Sequence, residues 1–174
     1  DAMVGAASMI TAIERIASDA SEDGDIVATV GDVTAHRGAI NTVCGNVTFP
    51  LDIRSNDVDF RSQVESDILD ELERNARENA LELSTDCLSR TNPVELDSGM
   101  IDRLDDRASE VGTASLRLPS GGGHDAMNFQ HAGIPTGMLF VPSIDGVSHS
   151  PKEETNTAAV GDATEVIART LVSE

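Results

Sequence analysis

The most distinctive short stretch of the chain is SGGGHDAMN, in which three glycines, residues 121–123, lead into His124 and Asp125. Glycine has no Cβ, so this backbone can approach a ligand closely and point several N–H groups at it. A helix is predicted to begin near His124, and amides at a helix start favour an anion or a polarised carbonyl oxygen. His124 can donate a hydrogen bond to the same oxygen. A flexible turn before a helix is the simpler alternative, and the glycines alone do not decide.

Two catalytic motifs are excluded for this loop. Ser120, His124 and Asp125 are the residue types of a serine hydrolase, but the chain has no G-x-S-x-G motif, and the histidine and aspartate are adjacent. A phosphate-binding P-loop needs a lysine after the glycines, and none follows here. Neither motif therefore applies to this loop, and both interpretations, a binding element and a flexible turn, stay open.

A second candidate, His149, lies in DGVSHSPKEE between a predicted strand and a predicted helix. Loops between rigid elements often hold ligands, and imidazole is a common metal ligand that nearby carboxylates can orient. A surface or capping histidine is the simpler alternative. His36 and His131 have no such context and are interpreted as structural.

Arg54 is predicted to end a strand, two residues after Asp52. A guanidinium in that position suits bidentate capture of a carboxylate. An ion pair with Asp52 or Asp57 explains the same pattern equally well, so the local sequence leaves both interpretations open.

The first part of the chain is predicted to fold as helix, strand, strand, helix and strand, at residues 2–20, 25–33, 46–55, 57–78 and 80–90. Apolar residues recur with the helical period in the helices and alternate in the second strand. Pro50 lacks a backbone donor, which predicts an edge position or a bulge there. This order is that of a ferredoxin-like split βαβ unit without its first strand.

A turn-rich segment near Pro93 predicts a boundary between two domains, 1–92 and 93–174. The second domain is predicted to contain three helices and one buried strand, at residues 99–112, 124–131, 158–172 and 137–143. Helices alternating with strands predict an α/β layer that forms one edge of a larger sheet. The fold class is therefore α/β.

The chain carries 31 acidic and 12 basic residues, a net charge of −19. Self-repulsion of this size destabilises a compact state, and about 1 M salt removes it because the Debye length falls to about 3 Å. We expect a halophilic, haloarchaeal cytoplasm, with a generic acidic protein as the alternative. The sequence has no stripe of basic residues, so a nucleic-acid partner is not expected. It has no apolar run of about 18 residues, so no membrane-spanning segment is expected. Cys44 and Cys87 are isolated, which predicts free thiols.

Three stretches together resemble one family: DAMVGAASMITAIERIA, INTVCGNVTFPLDIRS and LPSGGGHDAMNFQHAGIPTGMLFVPSIDGVSHSP. They are similar to the metal-dependent N-carbamoyl-L-amino acid hydrolases, allantoate amidohydrolases and β-ureidopropionases of the aminoacylase and metallocarboxypeptidase superfamily. The resemblance implies a catalytic α/β domain with two divalent metals (Zn, Mn, Co or Ni) and an inserted ferredoxin-like lid domain that forms a homodimer. It implies hydrolysis of a carbamoyl or ureido acid to amino acid, ammonia and CO2 by metal-activated water.

The resemblance also assigns roles to individual residues. His149 corresponds to a metal ligand, Gly123 and His124 to the substrate-binding Gly-His pair, and Asn41 and Arg54 to lid residues that hold the substrate carboxylate. Asn41 and Arg54 lie 13 positions apart, which is about 40 Å in an extended strand at roughly 3.3 Å per residue. We therefore hypothesise that they serve different active sites across a dimer.

The family's other metal ligands and its general base have no counterpart in this chain. One histidine cannot hold two metals, each of which needs four or more ligands. The resemblance thus implies a lid domain at 1–92 and the C-terminal segment of a catalytic domain at 93–174, inactive alone. The alternatives are an acyl-amino acid or peptide hydrolase of the same superfamily, and a truncated, non-catalytic dimerisation remnant.

Overall fold

The computed structural model describes residues 1–36 and 38–172. The chain divides into two compact units, Asp1–Pro93 and Val94–Glu174, each a mixture of helices and extended segments. Within the described ranges, no helix is long and apolar enough to span a membrane. The assignment of the two parts as a lid domain and a catalytic segment stays a prediction.

Two long helices, α1 (Ala2–Ala20) and α2 (Val58–Glu78), form the frame of the first unit. Asp1 accepts hydrogen bonds from the first free amides of α1, and Asp57 does the same for α2, so both starts follow from a capping aspartate. The helices pack against each other around an apolar core of Met9, Ile13, Ile26, Val64, Ile68, Leu72 and Ala76. Both helices agree with the ranges expected from the apolar period.

Four short strands form two antiparallel ladders in this unit: β1 (Val27–Thr29) pairs with β4 (Asp52–Arg54), and β2 (Thr34–His36) pairs with β3 (Asn46–Thr48). The strand predicted at 46–55 is therefore split into β3 and β4, whereas the strand predicted at 25–33 contains only β1, and β2 begins just beyond it. The break between β3 and β4 contains Pro50, which has no N–H for a ladder. The two ladders follow one another along a single hairpin.

The prediction of a strand at residues 80–90 is wrong. Leu81 and Leu83 pack against the core while Glu82 and Ser84 are exposed, so the alternation of a strand is present. The segment nevertheless belongs to neither ladder, and no other described segment pairs with its backbone. A strand needs a neighbour to form a ladder. The ferredoxin-like description of the unit therefore remains an expectation.

The second unit contains α3 (Ser98–Val111), α4 (Asp125–His131) and α5 (Thr157–Val172). Asp97 caps the start of α3, and Gly112 ends it in the left-handed region at φ 83°. Helices α3 and α5 pack together and bury Ala108, Val166 and Thr170. These helix ranges agree with the predicted ones to within a residue.

The buried strand predicted at 137–143 is also wrong. Phe140 is 47% exposed, and apart from one isolated bridge between Ser143 and Thr155 the segment forms no ladder with described residues. Gly137 packs tightly across α3, where an added Cβ would lie 2.9 Å from Leu104 Cδ1. The segment is thus held by a helix rather than by a neighbouring strand.

Candidate functional site

The glycine loop, residues 121–123, is exposed. It is followed directly by His124, which is the N-cap residue of α4. None of residues 121–123 has a positive φ, so backbone strain does not require glycine there. A Cβ added at Gly121 or Gly123 would meet nothing within 4 Å. The absence of side chains therefore leaves open space beside the backbone, which is the property that a close-approaching ligand needs.

The ring of His124 is held from two sides. Its Nε2 lies 2.8 Å from Ser120 Oγ, and its centroid lies 5.6 Å from that of Phe140, with the ring planes at 64°. The backbone N–H of Gly122 donates to the same Oγ at 3.3 Å. The loop thus turns back on the imidazole and fixes it beside the open glycine backbone.

His149 is exposed and adopts a left-handed backbone with φ 54°. This conformation costs a non-glycine residue about 1–2 kcal/mol, and such outliers are common at functional sites. The backbone N–H of His149 donates to Glu153 Oε2 at 3.0 Å. The carboxylate of Glu153 therefore stabilises the loop by binding the backbone of His149, not its ring.

A metal centre needs several ligands around one point, and the described residues do not supply them. Across 1–36 and 38–172, no three or more His, Cys, Asp and Glu side chains form a group that could hold an ion. A zinc ion usually has four ligands. His149 can therefore contribute one ligand, and the described residues do not fit a metal site of their own.

Asn41 and Arg54 lie far apart along the hairpin. Asn41 is exposed in the turn at the hairpin end, where the N–H of Thr42 donates to the carbonyl of Ala39 at 3.1 Å. Arg54 is the last residue of β4 and pairs with Val27 at the opposite end. The two residues do not form one site on the same hairpin.

Arg54 forms an ion pair with Asp52, which is one of the two interpretations that its sequence position allowed. Its Nε donates to Asp52 Oδ2 at 2.7 Å, and a terminal nitrogen lies 2.6 Å from the same oxygen. This hydrogen bond and the charge of Asp52 raise the pKa of Arg54 above its ordinary value. Asp57 instead caps α2, so a bound carboxylate would share Arg54 with Asp52.

An exposed ionic cluster that the sequence reading missed anchors the segment before the glycine loop. Asp105 on α3 accepts from Ser115 Oγ and from Arg117 Nε, both at 2.6 Å, and Arg117 also reaches Asp102 at 2.8 Å. Hydrogen bonds from Ser115 and then Arg117 lower the pKa of Asp105. In the sequence, polar Ser115 and Arg117 alternate with apolar neighbours, and this pattern could have indicated that both side chains lie on one face.

The chain matches the family model described as Peptidase family M20/M25/M40 over residues 2–173. It is 37% identical to an N-carbamoyl-L-amino acid amidohydrolase of Geobacillus stearothermophilus over 98% of this chain and 41% of that protein. It is 33% identical to an uncharacterized hydrolase of Haemophilus influenzae over 100% of this chain and 42% of that protein.

A solved structure supports the same grouping. An amidase of the hydantoinase/carbamoylase family from Burkholderia vietnamiensis superimposes with a TM-score of 0.89 at 28% identity, covering 98% of this chain and 41% of that one. The chain thus spans about two fifths of the length of these relatives.

Proposed function

The chain belongs to Peptidase family M20/M25/M40, and we propose that it forms part of a hydrolase of linear amide-type C–N bonds. The substrate class proposed is an N-carbamoyl-L-amino acid or a ureido acid. The observation that carries the proposal is the 37% identity with the Geobacillus amidohydrolase over 98% of this chain.

The glycine loop is proposed to bind the substrate carbonyl. The N–H of Gly123 and the ring of His124 would donate to the oxygen that gains negative charge during the reaction. The open space at Gly123 and the fixed His124 ring support this role. Loss of one such donor typically lowers the rate by about 10²–10³-fold.

Arg54 and Asn41 are proposed to bind the substrate carboxylate in a homodimer formed through the first unit. Their positions at opposite ends of one hairpin favour service to two different active sites. Each site would then receive Arg54 from one protomer and Asn41 from its partner. His149 is proposed as a single ligand of a divalent ion, and this chain's own contribution is to bind and orient the substrate.

The test is hydrolysis by the native protein that contains this chain, supplied with divalent metal. We expect ammonia release from N-carbamoyl-L-amino acids or allantoate, and a loss of about 10²–10³-fold in kcat for His124→Ala. His131→Ala is the matched control, because His131 is an exposed histidine at the other end of α4. Hydrolysis of N-acetyl amino acids or dipeptides only, or of no substrate at all, would overturn the proposal.

Mixing of variants tests the dimer. Asn41→Ala and Arg54→Ala protomers, each inactive alone, should together recover about a quarter of wild-type activity, because half the dimers are mixed and one of their two sites is intact. If both residues act within one protomer, mixing restores nothing.

A further inference from the structure

We propose that Ser120 is a positioning residue that holds His124 in the tautomer with its proton on Nδ1. Nδ1–H, and not Nε2–H, would then be the hydrogen-bond donor that the ring offers to a ligand. This inference rests on the proposed role of His124 in binding the substrate oxygen, but its test does not depend on hydrolysis.

The argument begins with the single hydrogen of the Ser120 hydroxyl. A serine oxygen can accept two hydrogen bonds and donate one. The N–H of Gly122 uses one acceptor position at 3.3 Å. Within the loop the hydroxyl hydrogen has two acceptors in reach, Nε2 of His124 at 2.8 Å and the carbonyl oxygen of Gly122 at 3.4 Å. If Nε2–H donated to Ser120 instead, the hydroxyl hydrogen would keep only the longer contact or solvent.

The distances favour the ring nitrogen. Hydrogen bonds from hydroxyl groups usually span about 2.5–3.0 Å, so the 2.8 Å contact with His124 is an ordinary bond and the 3.4 Å contact with Gly122 is a weak one. A ring nitrogen that accepts a hydrogen bond carries no proton. With Nε2 as the acceptor, the proton of the neutral ring is on Nδ1.

The surroundings also select one orientation of the ring. Half a turn about the bond to the ring would exchange Nε2 for Cε1 beside Ser120 Oγ and break the hydrogen bond. The edge contact with Phe140 limits other rotations, and a Cβ at Gly122 would lie 3.4 Å from Nε2, so the loop also packs closely here. Ser120 therefore fixes both the orientation and the tautomer.

The experiment is nitrogen NMR of the imidazole side chains in the 15N-labelled chain at about pH 9, where imidazole rings are neutral. The signals of His124 are assigned with His124→Gln. We expect a protonated Nδ1 and an unprotonated Nε2 in the wild type. In Ser120→Ala the tautomer ratio should shift toward Nε2–H by about fivefold or more, the usual effect of one net hydrogen bond.

Three further variants make the result specific. Ser120→Thr keeps the hydroxyl and should retain the Nδ1–H tautomer, while Ser120→Cys keeps the size but weakens the donor and should shift it. Ser115→Ala removes a hydroxyl from the same segment, at Asp105, and should leave the His124 signals unchanged. The backbone amide spectrum shows whether each variant is folded.

The proposal is overturned if wild-type His124 carries its proton on Nε2, if Ser120→Ala leaves the ratio unchanged, or if Ser115→Ala shifts it as much. In the active native protein, Ser120→Ala should lower kcat about tenfold with little change in KM, and Ser120→Thr should restore it. Failure of hydrolysis with the expected NMR result would count against the proposed function and not against the role of Ser120.

Discussion

Arg61 donates a hydrogen bond to the backbone carbonyl oxygen of Thr91 at 2.7 Å, although these residues are 30 positions apart. A second nitrogen of the same guanidinium donates to Asn92 Oδ1 at 3.0 Å. Arg61, on α2, is only 7% exposed. Its guanidinium therefore forms a buried link between α2 and residues 91–92, at the end of the first unit.

Replacing Arg61 with Met should lower the free energy of unfolding by about 1–3 kcal/mol, because two partly buried acceptors lose a charged donor. Urea unfolding at constant KCl measures this change. Arg77→Met is the matched control: Arg77 is on the same helix, is exposed and, among the described residues, pairs only with Glu73 at 3.3 Å, so it should cost less than about 0.5 kcal/mol. Equal losses would show that the contacts to residues 91–92 do not stabilise the unit.

Glu65 should make stability sensitive to acid. Its two oxygens accept from Arg90 at 2.5 and 2.8 Å, and these hydrogen bonds lower the pKa of Glu65 in the folded chain. The pair's contribution is therefore complete above the unfolded pKa of about 4.5 and is lost as the pH falls through the lower folded pKa. Solvent exposure keeps the effect small.

The measurement is urea unfolding of wild type and Glu65→Gln at several pH values from neutral to about 3. Wild type should be the more stable at neutral pH, and the difference should shrink at acid pH. Glu82→Gln, at an exposed position, is the control. A difference that grows on acidification would contradict the sign argued for Glu65.

Salt should stabilise the chain. With a net charge of −19, repulsion opposes the compact state until salt screens it. We expect the Tm to rise between 0.1 M and 3 M KCl, measured by circular dichroism. An unchanged Tm would show that the acidic residues do not oppose folding.

Two glycine substitutions in the second unit should have opposite effects. Gly137→Ala would place a Cβ 2.9 Å from Leu104 Cδ1, which can rotate away, and 3.2 Å from Met100 Cβ, which cannot. We therefore expect a cost near the lower end of the range of about 1–3 kcal/mol for overpacking. Gly161→Ala lies inside α5 with nothing within 4 Å, and should stabilise by about 0.5–1 kcal/mol. Thermal unfolding compares the two variants. A stable Gly137→Ala would mean that the 137–143 segment is not packed on α3.

Metal binding by the chain should be weak and limited to one site, because no group of three ligating side chains occurs in the described ranges. Titration calorimetry with zinc checks this, with His149→Ala expected to abolish what binding there is. Tight binding of two zinc ions per chain would contradict the ligand count.

The helices were predictable from the sequence because their information is local. The apolar period lies within each helix, and the capping residues Asp57 and Asp97 directly precede the helices that they cap. Strands depend on a neighbour, and the alternation at Leu81 and Leu83 could not reveal that no described segment pairs with it.

The residues of the candidate site could be predicted from the sequence, but the contacts between them could not. The glycines and His124 stand out in the sequence, whereas the contact of Ser120 with the ring depends on how the loop turns back. The edge contact of Phe140 depends on a segment that was expected to be a buried strand and is instead half exposed. Contacts between separate loops require the folded backbone.

The left-handed backbone at His149 restricts which amino acids evolution can use there. β-Branched and bulky residues are strongly disfavoured at positive φ, asparagine, aspartate and histidine tolerate it better, and glycine tolerates it best. A randomised codon screened for thermal resistance alone should therefore enrich glycine over histidine. Enrichment of histidine in a parallel screen for catalysis would separate the selective pressure of chemistry from that of folding at one position.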